Sequence, residues 1–426
     1  MQIKRPLAAL FFVAWLVSSY AGAEVLTLAA ATKKTLSDNP FLNVYKLNEE
    51  ALHARRQTAA LRPGLDLGVE VENFAGTGDV RGFNEAELTV SLSSVIELGS
   101  KRSARIALVD SRSGLARAEL EAKALDVLGA MTSQFVGALA LKEQLALARQ
   151  ASVLASQTTT TIKERVDAGV APDAELLRAK AMESQAKLAT ERIARQLDIA
   201  IVVLGMYWGG REQQEHDVQG DLFSFGDERS FAELWELAAS SPAILTFASE
   251  SRLKEAEIRL AESNSQLDVR WSIGIRRLEG LDENALVGSL QFPLFSGRRN
   301  RGEVAAARTE QAAVAVKREQ ALNQLYARLY DAYATRAQSV SAIRTLADET
   351  IPDLTKSFEE TQSAFEAGSF SYLELIAAQR ALIDAKQTYI ATAVHALQAA
   401  VVIEQLTGIS LQPGTDAIQV LQGNLK

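Results

Sequence analysis

Period-two alternation of apolar and polar side chains marks four short segments of the chain. In the first, Leu65, Leu67, Val69 and Val71 alternate with Asp66, Gly68, Glu70 and Glu72. In the second, Leu88, Val90, Leu92 and Ile96 face one way, and Glu87, Thr89, Ser91 and Ser93 the other. The third sets Val269, Trp271, Ile273 and Ile275 against Arg270, Ser272, Gly274 and Arg276. The fourth sets Leu286, Leu290, Phe292 and Leu294 against Val287, Ser289 and Gln291. Strands are therefore predicted over 65–74, 87–97, 269–277 and 286–295, joined in pairs by turn-rich loops at 74–86 and 277–285. Strands of about nine or ten residues suit a tilted bilayer crossing. The competing reading is a sheet with one face on a soluble core. The charges on the polar faces favour a water-filled interior, and they make Asp66, Glu70, Glu72, Glu87, Arg270 and Arg276 candidate lumen residues. Four strands leave two edges, which lipid does not tolerate. Closure needs several chains, and three would supply twelve strands.

The intervening segments have a different texture. The stretches 101–167 and 299–366 are rich in Ala, Leu, Glu, Gln, Lys and Arg, all good helix formers. A helix of ~67 residues at 1.5 Å per residue is roughly 100 Å long. Shorter helices are predicted over 25–60, 172–208, 230–265 and 371–407. Each is about half the long length, so two end to end match one long rod in a bundle. Pro352 is predicted to kink the second long helix, because it removes a backbone donor.

The chain repeats itself. Ser91-Leu-Ser-Ser-Val-Ile-Glu-Leu-Gly99-Ser-Lys-Arg102 is echoed by Ser289-Leu-Gln-Phe-Pro-Leu-Phe-Ser-Gly297-Arg-Arg-Asn300. Ala168-Gly169 followed by Glu175-Leu176 is echoed by Ala367-Gly368 followed by Glu374-Leu375. Asn39-Pro40 is echoed by Ser241-Pro242. Such self-similarity divides the chain into halves at 24–208 and 230–408, with a linker at 209–229 and a tail at 409–426.

Composition and the N-terminus narrow the class. Lys4 and Arg5 precede the apolar run Leu7–Val17, and Ala21-Gly22-Ala23 supplies small residues for cleavage, the pattern of an export signal over 1–23. That run is too short to span a bilayer, and no later uninterrupted apolar run reaches spanning length. The chain has no cysteine and a net charge of −8. The first removes thiol chemistry and disulfides; the second argues against nucleic acid as a partner.

The order helix, hairpin, long helix, helix, given twice behind an export signal, resembles the TolC-type outer-membrane efflux channels over essentially the whole mature chain. Phe365-Glu-Ala-Gly368-Ser-Phe-Ser-Tyr-Leu-Glu374-Leu-Ile-Ala-Ala-Gln379, with Leu382, Tyr389 and Leu406-Thr407-Gly408, is similar to the family signature. Glu70-Val-Glu-Asn73, Glu87 and Ile96-Glu97-Leu98-Gly99-Ser100-Lys101-Arg102 look like the heavy-metal, CzcC-type branch. The resemblance implies a mainly α protein with a β-barrel part: a homotrimer whose twelve-stranded barrel sits in outer-membrane lipid over a long α-helical periplasmic tunnel. It implies a periplasmic adaptor and an inner-membrane RND-type pump as partners, no cofactor, no catalysis, and passive export of substrate, with heavy-metal cations favoured. Drug efflux or type I secretion through the same fold is the alternative. Lipidated relatives carry a cysteine after the signal; here the barrel is expected to be the sole anchor.

Gly169 and Gly368 follow long helices and suit left-handed helix stops. The resemblance places these turns at periplasmic tips that meet the adaptor, with Arg165, Gly169, Glu175 and Leu176 from the first half and Gly368, Glu374 and Leu375 from the second. It also makes Glu374 a candidate for a carboxylate ring at the entrance, while Ser371-Tyr-Leu-Glu374 equally fits a capping box. Lys101, Arg102, Arg105, Arg298, Arg299 and Arg301 put positive charge at helix starts, against the helix dipole, and are expected to mark the inner membrane–water boundary. His53, His216 and His395 share no ligand spacing. Gly76 to Gly82 does not fit a dinucleotide fingerprint. A periplasmic coiled-coil adaptor would also be exported and helical, but the amphipathic hairpins and two-fold repeat count against it. An exported enzyme lacks a convergent catalytic set.

Overall fold

In the computed structural model, residues 24–210 and 216–411 are described. The predicted export signal and residues 412–426 of the tail lie outside the described residues. The chain runs β1 (Glu24–Thr27), α1 (Leu28–Asp38), α2 (Pro40–Ala59), β2 (Asp66–Glu72), β3 (Glu87–Glu97), α3 (Lys101–Asp167) and α4 (Asp173–Gly205). It continues through β4 (His216–Gln219), α5 (Phe231–Ala239), α6 (Pro242–Asn264), β5 (Asp268–Leu278), β6 (Glu283–Gln291), α7 (Ser296–Arg299), α8 (Arg301–Thr345), α9 (Ile351–Glu366) and α10 (Tyr372–Thr407).

Two predicted helices are divided. The segment expected as one helix over 25–60 is a short strand and two helices, parted at Asn39-Pro40. Asn39 Oδ1 accepts from the N–H groups of Phe41 and Leu42 at 3.0 and 3.1 Å, and Pro40 opens the new helix. That is an N-cap followed by proline at the first helical position, where its missing donor costs nothing. The segment 230–265 divides the same way, with Pro242 opening α6. The unpredicted β1 pairs in parallel with β4, Leu26 opposite Val218, both almost fully buried. Lys142 on α3 pins this pair, donating to Val218 O at 2.9 Å and meeting Asp217 at 2.7 Å. Part of the predicted linker is therefore a strand.

The second long helix is not a single rod. A five-residue π-helical turn, Leu346–Thr350, joins α8 to α9, with Pro352 in the first turn of α9. Proline cannot donate to the carbonyl four residues back, and a wide turn directly before it accommodates that loss. The disturbance predicted at Pro352 lies just upstream of it.

α3 packs on α4, α6, α10 and α2, and α8 packs on α10 and α6. The largest core joins Met131, Phe135 and Leu139 of α3 to Leu26, Leu204, Val218 and Leu397. A second core gathers Leu234, Leu329 and Ile403. α3 and α10 each contain an 18-residue stretch apolar enough to cross a membrane, but more than half of each stretch is buried within the molecule. They are core helices. Arg336 of α8 reaches from the bundle to the linker, its guanidinium donating to Phe225 O at 2.6 Å and Asp227 O at 3.0 Å. Burial pushes its pKa down, opposed by Glu228, Glu404 and Asp227.

Candidate conduit: the sheet face and the helical tips

Strands β2, β3, β5 and β6 form one antiparallel sheet in that order. The two hairpins pair through β3 and β5, leaving β2 and β6 as open edges within one chain. Register aligns side chains into rungs. Val69, Val90, Ile275 and Leu286 lie opposite one another across all four strands. This apolar face is bare: Val69 is 64% exposed, Ile275 59% and Leu286 80%. Leaving one such side chain in water rather than apolar surroundings forgoes about 1.5–3 kcal/mol. A continuous bare apolar face of this kind marks a surface that meets lipid or another protein.

The opposite face is polar. Asp66, Ser93, Ser272 and Ser289 form one rung, and Glu70, Thr89, Arg276 and Ala285 another. Ser272 and Ser289 hydroxyls lie 2.8 Å apart. Of the predicted lumen residues, the structure gathers three near the hairpin loops. Arg276 donates to Glu87 at 2.6 Å and to Thr89 Oγ1 at 2.9 Å, and its guanidinium lies 3.0 Å from Glu72. Asn73 also donates to Glu87. Glu70 shares the rung of Arg276, one in from Glu72 and Glu87, whereas Asp66 and Arg270 stand toward the helical end. Glycine is required at 274: a Cβ there would lie 2.6 Å from Val90 O.

The hairpins differ from expectation at one end. β5 continues to Leu278 and β6 begins at Glu283, so the second loop is only Glu279–Asp282. β6 stops at Gln291, short of the predicted 295, because Pro293 has no N–H for the ladder. The first loop is longer and carries stacked Phe74 and Phe83.

At the far end of the helices, both tip glycines have positive φ, +74° at Gly169 and +81° at Gly368. Val170 donates to Arg165 O and Ser369 to Ala364 O, each at 2.9 Å. Together with the Gly169–Val166 and Gly368–Phe365 bonds these are Schellman turns. Arg165 joins the two tips: its guanidinium donates to Phe365 O at 2.8 Å and lies over the Phe365 ring. Ile162, Ala179, Phe365, Tyr372, Leu375 and Ile376 form a small tip core.

That core redistributes the predicted contact residues. Leu375 is 4% exposed and Leu176 half-buried, so both pack inward. Val170, Leu177, Phe370 and Leu373 are the apolar side chains that the tips present, with Leu177 68% and Leu373 62% exposed. Leu177 stands one residue after Leu176 and Leu373 two before Leu375, steps of about 100° and 200° around a helix, and which of these faces is covered is not specified by spacing alone. Glu374 is exposed and closes a capping box: it accepts from Ser371 N–H at 2.7 Å and Ser371 Oγ at 2.8 Å. The backbone N–H of Ser371, then its hydroxyl, holds the Glu374 carboxyl below its ordinary pKa. Glu175 makes no such cap; α4 begins after Pro172 without a side-chain cap.

The basic residues at the start of α3 are engaged within the chain. Arg102 donates to Ala60 O at 2.6 Å, Arg105 pairs with Glu97 and also donates to Leu61 O, and Lys101 pairs with Asp268 at 2.6 Å. Ala60 and Leu61 follow α2 directly, where cations are favoured. The charges that oppose the α3 dipole therefore complement a neighbouring helix end within the chain. Among the described residues, no three His, Cys, Asp or Glu side chains gather as a metal-ion site. His53 and His395 join no such group; the His216 side chain lies outside what is described.

An amphipathic sheet with open edges, carried on long helical hairpins, is the chain architecture of an outer-membrane channel. The chain belongs to the outer membrane efflux protein family, whose profile it matches over residues 32–210 and 234–409. The two matched stretches fall one in each repeat. It is 26% identical, over 90% of each chain, to the cobalt-zinc-cadmium resistance protein CzcC of Cupriavidus metallidurans. Its fold is similar to that of a membrane protein from Pseudomonas aeruginosa, with TM-score 0.74, 18% identity and 96% of each chain covered. It is similar also to CusC, whose structures describe transmembrane channel formation, with TM-score 0.74, 15% identity, and 92% of this chain and 95% of that one covered. The protein is an efflux channel component of the outer membrane, extending into the periplasm.

Proposed function

We propose that three copies of this chain close their sheets into a twelve-stranded barrel and their helices into a periplasmic tunnel, forming a passive exit duct. The observation that carries this reading is the bare apolar rung Val69–Val90–Ile275–Leu286 on a sheet with two open edges. Lipid satisfies the apolar face, and only closure satisfies the edges. The polar face, with Asp66, Glu70, Glu72, Glu87, Arg270 and Arg276, then lines the water path. The duct works with an inner-membrane RND-type pump that supplies energy and a periplasmic adaptor that grips the tips. Arg165, Gly169, Glu175, Gly368 and Glu374 shape the tip surface, and Val170, Leu177, Phe370 and Leu373 give it apolar contacts. Three Glu374 carboxylates ring the entrance in addition to capping their helices.

The cargo is divalent heavy-metal cations. The name of the CzcC relative supports this, and so does an acidic lining. A host lacking this chain should become sensitive to cobalt, zinc and cadmium salts and recover when the chain is restored. Unchanged metal tolerance with new sensitivity to organic drugs would replace the metal reading by the drug-efflux alternative.

A further inference from the structure

The two halves of the chain are built alike at the base of the sheet. Arg102 donates to Ala60 O beyond the end of α2. Asn300, just before α8, donates to Ala261 O near the end of α6. Residues 102 and 300 are equivalent in the repeat, and their acceptors, Ala60 and Ala261, lie one repeat position apart at the ends of matching helices, so the same kind of bond is made twice.

Lys101, one residue earlier, does something different. It is buried, lies 2.6 Å from Asp268 and donates to Gln266 O at 3.0 Å. It follows β3, and Asp268 begins β5, so this pair locks the seam between the two halves. Its counterpart is read off the repeat. Lys101 is matched by Arg299, in step with Gly99 and Gly297. Asp268 is matched by Asp66, in step with Val269 and Leu67. Both matches keep the charge. Arg299 follows β6 and Asp66 begins β2, which are the two opposite edges of the sheet. Both side chains are exposed, and neither has an ion-pair or side-chain hydrogen-bond partner among the described residues.

We propose that Arg299 of one copy and Asp66 of a second copy form the ion pair that locks the seam between protomers. The occupant of each open edge is thus another copy of this chain, placed with β6 beside the neighbour's β2 as β3 lies beside β5. The proposal rests on the trimeric reading above and adds the register at which protomers meet. The pair repeats between chains what Lys101 and Asp268 do within one. Arginine fits the exchange, since its planar fork holds a carboxylate with two parallel hydrogen bonds.

The absence of cysteine makes the test clean. In D66C/R299C, a short bis-maleimide should link chains into covalent dimers and trimers, whereas each single variant should stay uncoupled. K101C/D268C should react within one chain and give no ladder. In parallel, R299D and D66R should each lower the temperature at which the native oligomer dissociates, and the double reversal D66R/R299D should restore it. Native mass of the untreated protein in detergent reads the trimer separately. A trimeric mass without the ladder, or without restoration in the double reversal, overturns the ion pair and leaves the trimer standing. A monomeric mass overturns both.

Discussion

Replacing Gly368 by valine isolates the backbone cost of the tip turn. The φ of +81° is one that L side chains rarely adopt, and nothing lies within 4 Å of a Cβ built there. No clash therefore contributes, and the penalty is conformational alone. For a β-branched residue in the left-handed region it is about 1–2 kcal/mol or slightly more. Asparagine, which tolerates this region, should lose much less. The strain falls on the Schellman bond from Ser369 N–H to Ala364 O and on the small tip core behind it. At about 1.4 kcal/mol per factor of ten, exchange of the Ser369 amide should accelerate roughly 5- to 30-fold in Gly368→Val. Amides near Met131 and Phe135 in the main core should be unaffected. Gly169→Val should act likewise on Val170, whose N–H bonds Arg165 O. Hydrogen exchange read by mass spectrometry separates these segments. Equal protection in the valine, asparagine and wild-type proteins would refute the assignment of a conformationally demanding turn.

Epitopes inserted at Gly78 or after Asp282 should be bound by antibody on intact cells, since both lie in hairpin turns; access only after outer-membrane permeabilisation would invert the topology. Glu374→Gln should retain a capping group but remove the charge, so single-channel recordings should show weaker cation selectivity; unchanged selectivity would leave Glu374 as a helix cap only. Because the folded-state pKa of Glu374 is lowered from 4.5, its stabilisation of the tip is complete above that value and is lost as pH falls through the lowered one. Tip amide exchange should quicken in acid for wild type and be pH-flat in this respect for Glu374→Gln. Arg336→Ala removes two charge-assisted bonds to Phe225 and Asp227 carbonyls, and a loss of about 2–4 kcal/mol is expected, read as a lower thermal midpoint.

Much of this architecture is legible in the chain because it rests on local periodicity. The 67 residues of α3 contain no proline, and its glycines, Gly114, Gly129 and Gly137, are too few to break it. The alternation Leu67, Val69, Val71 survives as a strand because one face needs an apolar environment. The Ser371–Glu374 box is written in four adjacent residues. What was not legible depends on tertiary partners. β1 and β4 are four residues each, too short for a periodic signal, and exist because Leu26 and Val218 are buried by α3. A kink is predicted at Pro352, whereas the helix makes its adjustment as a π turn over Leu346–Thr350, just upstream. The destination of Lys101, Arg102 and Arg105 is not legible, since their acceptors lie just beyond α2, in β3 and at the α6–β5 junction. At the tips, Leu177 and Leu373 are distinguished from Leu176 and Leu375 only by which helix face the tip core covers. In each case a sequence shows that a residue is apolar or charged, while the fold decides whom it faces.

A closed duct requires that the polar face of the sheet line water while the apolar face meets lipid. Single cysteines at Ser272 and Leu286, in a chain otherwise free of cysteine, test it most directly. In proteoliposomes, a charged, membrane-impermeant thiol reagent should label Ser272→Cys rapidly and leave Leu286→Cys protected by lipid, although Leu286 is 80% exposed in the single chain. Fast labelling at Leu286→Cys with protection at Ser272→Cys, or equal labelling of both, would contradict a closed, water-filled barrel.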